Sequence, residues 1–185
     1  MRLFIALPLP DKIERKLGGI IDELKPLSRA VKWVNSDIIH LTVKFLGETK
    51  PELVEPIKKA LDRVAPDFKP IECSIDRLGA FPNLKRPRVF WAGLAGQKEI
   101  LEKLAKHVDL EMHALGFEKE NRAFKAHLTL GRVKRDDPMF DLCGAVENYK
   151  LIPESLIFSE IVLFKSTLTP RGPIYEVLHR VPLGA

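Results

Sequence analysis

The feature that most constrains this chain is a duplicated pattern: His40-Leu41-Thr42-Val43 and His127-Leu128-Thr129-Leu130 each lie inside a run of alternating character. The runs, IIHLTVKFLG and FKAHLTLGRV, are rich in β-branched and large apolar residues and read as strands. With five His and five Thr in 185 residues, chance would produce the His-x-Thr spacing roughly 0.14 times. Two copies in comparable settings predict two pseudo-symmetric lobes, each contributing one such strand. Side chains two apart on a strand share a face. Leu41, Val43 and Phe45 are therefore expected inward, with His40, Thr42 and Lys44 on the other side.

The rest of the chain supplies the partners of these strands. RLFIAL (2–7) reads as a strand, and Asp11 with Glu14 reads as a capping box opening a helix whose core face is Ile13, Leu17, Ile20 and Leu24. Pro26 closes that helix, and VKWV forms a short strand before the first histidine run. A second helix runs from the low fifties to Val64 with Leu53, Ile57, Leu61 and Val64 inward; Pro56 must fall in its first turn or kink it. Strands are expected at 69–78 and 87–94, joined by the basic turn-rich loop GAFPNLKR. The third helix carries Ile100, Leu104, Val108, Met112 and Leu115, and Gly116 serves as a left-handed stop. After the second histidine strand come a short helix within RDDPMFDLCGAVENY and two strands, ESLIFSEIVLFKS and PIYEVLHRVPL. This order mixes hairpins with helices and lacks regular strand-helix alternation. The expected fold is α+β: antiparallel β-sheets flanked by helices in two pseudo-symmetric lobes with an active-site cleft between them, residues 1–185 forming one bilobal domain.

Composition narrows the function classes. A hydrophobic share of 45% and a charged share of 30% suit a soluble globular protein and exclude a disordered or fibrous class. The opening MRLFIALPLP is broken by two prolines, then Asp11 and Lys12, before a signal core can develop. No run approaches the roughly 18 apolar residues of a membrane span, so a cytoplasmic location is expected. Cys73 and Cys143 are the only cysteines, and their separation signals neither a disulfide framework nor a zinc site. The formal charge of +5 and pI near 9.2 suit a polyanionic partner.

Two strands facing each other across a cleft would bring together two imidazoles and two hydroxyls. The hydroxyls can hydrogen-bond the non-bridging oxygens of one phosphate. Imidazole titrates near 6.5, so one ring can act as base while the other, beside a phosphate, is protonated and acts as acid. That pair suits in-line displacement at phosphorus without metal or cofactor. His107 and His113 lie six apart on a helix, off a common face, and do not form a metal pair.

HLTVKFLGE and AHLTLGRV resemble the paired His-x-Thr-apolar signatures of the 2H phosphoesterases, in particular the RNA 2′,3′-cyclic phosphodiesterases also called 2′-5′ RNA ligases. The resemblance extends through RLFIALPLP, VKWV, LGAFP, PRVFWAGL and LFKSTLTPRGPIY, and so spans the chain. It implies a bilobal fold and metal-free hydrolysis of RNA 2′,3′-cyclic phosphate ends to 2′-phosphates, with joining of tRNA halves by a 2′-5′ bond in some members. It further implies His40 as proton donor, His127 as proton acceptor, and Thr42, Thr129 and Arg132 as phosphate-binding residues. Strict alternation would place Arg132 opposite His127, so a bend or bulge near Gly131 is required. Ala126 stands where the family commonly has proline; that residue shapes the strand entry and supplies no reacting group.

Two alternatives stay open at this point: ligation of tRNA halves by the same histidines, and a non-catalytic RNA-binding module on a retained fold. Lys44, Lys125, Arg86, Arg88 and Arg171 can extend a positive rim for RNA or simply be solvated. Trp33 and Phe81 can stack on bases, although packing is the commoner fate of aromatics. A monomer is expected.

Overall fold

The computed structural model describes residues 1–184. Its elements in chain order are β1 (Arg2–Pro8), α1 (Asp11–Leu24), β2 (Val31–Trp33), β3 (His40–Glu48), α2 (Val54–Val64), β4 (Ile71–Phe81), β5 (Val89–Gly96), α3 (Lys98–Ala114), β6 (His127–Val133), α4 (Phe140–Glu147), β7 (Glu154–Phe158), β8 (Glu160–Thr169) and β9 (Gly172–Pro182). The strands form two antiparallel sheets ordered β3-β1-β8-β9 and β2-β6-β5-β4-β7. The α+β fold expected from the element order is present.

The two sheets share an internal plan. In each, a histidine strand (β3 or β6) lies beside a strand that precedes it by one helix (β1 or β5), followed outward by β8-β9 or β4-β7. The helices are exchanged between sheets: α1 leaves β1 but packs with α4, which lies on β4, whereas α3 leaves β5 but packs with α2 and on β3. One apolar cluster therefore runs continuously between both sheets, from Leu3, Ile5 and Leu7 through Ile13 and Leu17 to Leu104, Val108, Leu128 and Phe158. Each such side chain contributes about 1.5–3 kcal/mol on burial.

Three local expectations need correction, and the condition set by Pro56 is met. Asp11 does not cap α1: the extended Pro10 precedes the helix and no side-chain cap bond forms, while the Pro10 carbonyl accepts from the amides of Ile13 and Glu14. Pro56 falls in the first turn of α2, where its missing N–H costs no helical bond. The β4-β5 hairpin runs three residues further than its polarity suggests, because Gly79 leaves room for the Trp91 ring; a Cβ there would come within 2.4 Å of it. The segment 154–166 reads as one strand but breaks at Ser159, with β7 pairing to β4 and β8 to β1. Periodicity cannot register a change of sheet.

Candidate active site

β3 and β6 pack side by side, and each histidine opens its strand. His40 lies opposite Pro8 of β1, and His127 opposite Gly93 of β5. The rings are held by the same local device. His40 Nδ1 meets the Ile38 carbonyl at 2.9 Å, and His127 Nδ1 meets that of Lys125 at 2.6 Å. A carbonyl only accepts, so these bonds assign the proton to Nδ1 and leave Nε2 as the basic nitrogen of each neutral ring. Thr42 Oγ1 lies 3.0 Å from His40 Nε2 and donates to it; Thr129 has no such bond among the described residues. His40, Thr42, His127, Thr129 and Arg132 all line one cleft of about 830 Å³.

The alternation that brings Thr to the cleft fails directly after it, in both strands. Thr42 pairs with Ala6 and Lys44 with Ile5, so Val43 is an extra residue; Thr129 pairs with Trp91 and Gly131 with Phe90, so Leu130 is another. Each is a β-bulge, and each exchanges the faces of the residues beyond it. In β6 the bulge returns Arg132 to the cleft side, one residue ahead of the glycine where a bend was expected. In β3 it has the opposite effect on a cation. Lys44, expected to face the cleft, turns inward, and Phe45, expected inward, is 63% exposed on the cleft wall.

Lys44 is therefore not a rim residue. Its Nζ donates to Asp109 Oδ1 at 2.5 Å and to the Glu118 carbonyl at 2.9 Å, and the Glu120 amide donates to the same carboxylate. The two side chains are 8% and 12% exposed. Burial alone would raise the Asp109 carboxyl, but Lys44 and the Glu120 amide outweigh it and hold its pKa below the ordinary value. The pair ties β3 to α3 and to the loop that leads into His127.

The two imidazoles sit in unlike surroundings. His40 stacks on Phe4 at 4.8 Å and meets Tyr175 edge-on at 5.5 Å. Burial pushes its pKa below the ordinary histidine value, against the pull of the Ile38 carbonyl. His127 meets the edge of Phe81 at 4.9 Å. Burial lowers its pKa as well, the Lys125 carbonyl opposes this, and the charges of Arg132 and Lys125 add to the lowering. Tyr175 is raised by burial while Arg132 and Arg2 pull it down, a sign that positive charge from both sheets reaches the cleft.

Of the other singled-out residues, Arg171 and Trp33 line the cleft, and Lys125 lies 5.3 Å over the Phe81 ring. Arg86 and Arg88 line a different depression. His107 packs edge-on to Phe68, and His179 bonds Asp62; neither reaches the cleft. Cys73 and Cys143 are free thiols. Among the described residues no group of three or more His, Cys, Asp or Glu is gathered as metal ligands, and no helix is long and apolar enough to cross a membrane. Sequence reasoning missed Phe4, Phe164 and Tyr175, the aromatic housing of His40. Phe4 sits in an apolar strand that reads as core on both faces; only Tyr175, in the polar segment LTPRGPIY, offered a signal.

Comparison with known proteins finds relatives along nearly the whole chain. The LigT like Phosphoesterase family matches residues 7–91 and 94–175. A protein of Archaeoglobus fulgidus named RNA 2′,3′-cyclic phosphodiesterase is 40% identical over 181 residues, 96% of this chain and 98% of the relative. One of the same name from Methanocaldococcus jannaschii is 37% identical over 179 residues, with 96% and 98% covered. Among solved structures, a Thermus thermophilus protein superposes with a TM-score of 0.81 at 27% identity, covering 99% and 98% of the two chains. E. coli LigT complexed with 3′-AMP does so at 0.71 and 27%, covering 98% and 97%. The match of both halves around their His-Leu-Thr strands establishes that this chain belongs to the LigT-like phosphoesterases.

Proposed function

We propose that the protein hydrolyses 2′,3′-cyclic phosphate ends of RNA to 2′-phosphates by metal-independent acid-base catalysis. The observation that carries this reading is the opening of two His-Thr pairs and Arg132 onto one cleft. The names of the relatives support the substrate class, and E. coli LigT has been solved in complex with a nucleotide, 3′-AMP.

In this reading His127 is the base. Arg132 and Lys125 disfavour its protonated form, which keeps Nε2 free to take a proton from the attacking water. Oxygen of that water adds to phosphorus, the bond from phosphorus to O3′ breaks, and His40, protonated beside the bound anion, delivers its proton to O3′. One water is consumed and the phosphate remains on O2′. Thr42, Thr129 and Arg132 hold the non-bridging oxygens as charge grows on them; the Arg guanidinium suits two parallel contacts. Each proton transfer contributes about 10²–10⁴-fold.

The test is turnover of an oligonucleotide ending in a 2′,3′-cyclic phosphate, in EDTA, with the product phosphate located by nuclease mapping. A 2′-phosphate is expected. A cyclic end that persists, or full activity after His127→Ala, sinks the proposal.

A further inference from the structure

A second depression of about 560 Å³ lies where the β4-β5 hairpin loop meets the segment after β6. Lys85, Arg86, Arg88, Lys134 and Arg135 line it, with Asp136 the single carboxylate in the wall. Among the described residues only Arg135 of these five has an acidic partner, Asp137 at 3.7 Å. Four uncompensated cations in one depression repel one another, so the arrangement costs stability unless an anion is there to share.

Both loops are held in place before any ligand arrives. Asn83 Oδ1 accepts from the amides of Lys85 and Arg86, the Arg88 amide donates to the Phe81 carbonyl, and Pro87 is buried. Across the depression the amides of Lys134 and Arg135 both donate to the Ala30 carbonyl, and Ser28 Oγ donates to that of Pro138. Charge presented on pinned backbone loses less entropy on binding than charge on a loose tail. No aromatic ring lines the depression, so it offers charge rather than a base-stacking surface and suits a sugar-phosphate backbone.

Its position gives the occupant. The two depressions draw on successive residues at the end of β6: Arg132 lines the catalytic one and Val133 lines the second. Lys32, opposite Arg132 on β2, lines the catalytic cleft beside it. A strand rises about 3.3 Å per residue, so Lys134 lies on the order of 15 Å from Thr129. A nucleotide bearing a 2′,3′-cyclic phosphate is the 3′ end of its strand, and the chain can continue only in the 5′ direction. We infer that the second depression holds backbone phosphates of the RNA 5′ to the reacting end, making it a docking track separate from the catalytic cleft. This rests on the RNA-end reading above.

The track is tested with the triple substitution Arg86→Gln, Arg88→Gln, Lys134→Gln against a control, Lys98→Gln, Lys103→Gln, Lys106→Gln, which removes the same charge from exposed positions of α3. The first readout is fluorescence anisotropy of a labelled RNA of about 12 nucleotides ending in a 2′-phosphate, titrated at several salt concentrations. The track variant is expected to bind about tenfold more weakly or worse, with a salt slope smaller by about 2, and the control to match the unaltered protein. The second readout is hydrolysis of a 2′,3′-cyclic mononucleotide, too short to reach the track, on which the track variant should stay within about twofold of the unaltered protein. Undiminished RNA binding by the track variant, equal weakening by the control, or an equal loss on the mononucleotide overturns the inference. If the unaltered protein leaves even the cyclic end of an oligonucleotide intact, the hydrolase reading fails while the anisotropy comparison still decides the track.

Discussion

β3 and β6 pass through the same local events up to their bulges: a histidine tied to the carbonyl two residues back, a threonine two residues on, then one extra residue, Val43 or Leu130. Beyond that point they diverge. The position after the bulge is Lys44 in β3 and Gly131 in β6; the next is Phe45 in β3 and Arg132 in β6. One strand buries its cation against Asp109 and shows the cleft a phenyl ring, while the other shows the cleft a guanidinium. A shared backbone device thus gives one apolar and one charged wall. At this bulge the difference lies in two side chains; past it the paths separate too, because β3 has a second shift that leaves Leu46 unpaired.

The largest test of the comparison is the removal of each histidine. On a cyclic-phosphate oligonucleotide, His40→Ala and His127→Ala should each lower kcat by about 10²–10⁴-fold. The double variant should fall far short of the product of the two, since paired acid and base act as a unit. Multiplicative losses in initial-rate measurements would show that the two rings work independently.

The next effect is on stability and should fall on one strand alone. Lys44→Ala strands the Asp109 carboxylate in the interior and should cost about 3–5 kcal/mol in urea unfolding. Lys44→Met with Asp109→Leu should recover most of it. Arg132→Ala, at an exposed position, should leave stability almost unchanged and lower kcat/KM. Similar unfolding losses for Lys44→Ala and Arg132→Ala would erase the proposed asymmetry. The pair also adds a pH term: Asp109 is held below the ordinary carboxyl value, so its stabilisation is present at neutral pH and lost as acid protonates it in the fold.

Gly131→Ala probes the bulge of β6. A Cβ there would lie 2.6 Å from Val31 Cγ1, 2.9 Å from Trp33 Cε3 and 3.2 Å from the Lys32 carbonyl oxygen. The last is backbone and yields only if β2 moves, so a loss of about 1–3 kcal/mol is expected. Arg132 would be displaced with it, and KM should rise along with the fall in thermal stability.

The smallest effect is a shift in pH dependence. Lys125 and Arg132 lower the pKa of His127, but neither charge acts on His40 in this way. Lys125→Gln should therefore raise the pKa of His127. If that ring is the base, which must be neutral to act, the acidic limb of the kcat/KM profile moves to higher pH and the alkaline limb stays in place. Movement of the alkaline limb instead would reverse the roles of the two histidines.

What the chain alone determined is what depends on short range. The spacing of His and Thr, the period of α3, the stop at Gly116 (φ +95°) and the polar turns are set by residues within a few positions of one another, and each was legible. The duplicated motif predicted antiparallel sheets with one histidine strand in each half, and β3 and β6 do lie in separate antiparallel sheets, of four and five strands. The folded structure alone decided which residue each strand leaves unpaired, because a bulge is a property of two strands in register. It decided that Lys44 would be buried, since its partner Asp109 lies 65 positions away on a helix that left the other sheet. It also decided that 154–166 would split between sheets and that Phe4, Phe164 and Tyr175 would house His40. Periodicity reports which side of a strand faces apolar surroundings; it carries no record of the strand that will lie beside it.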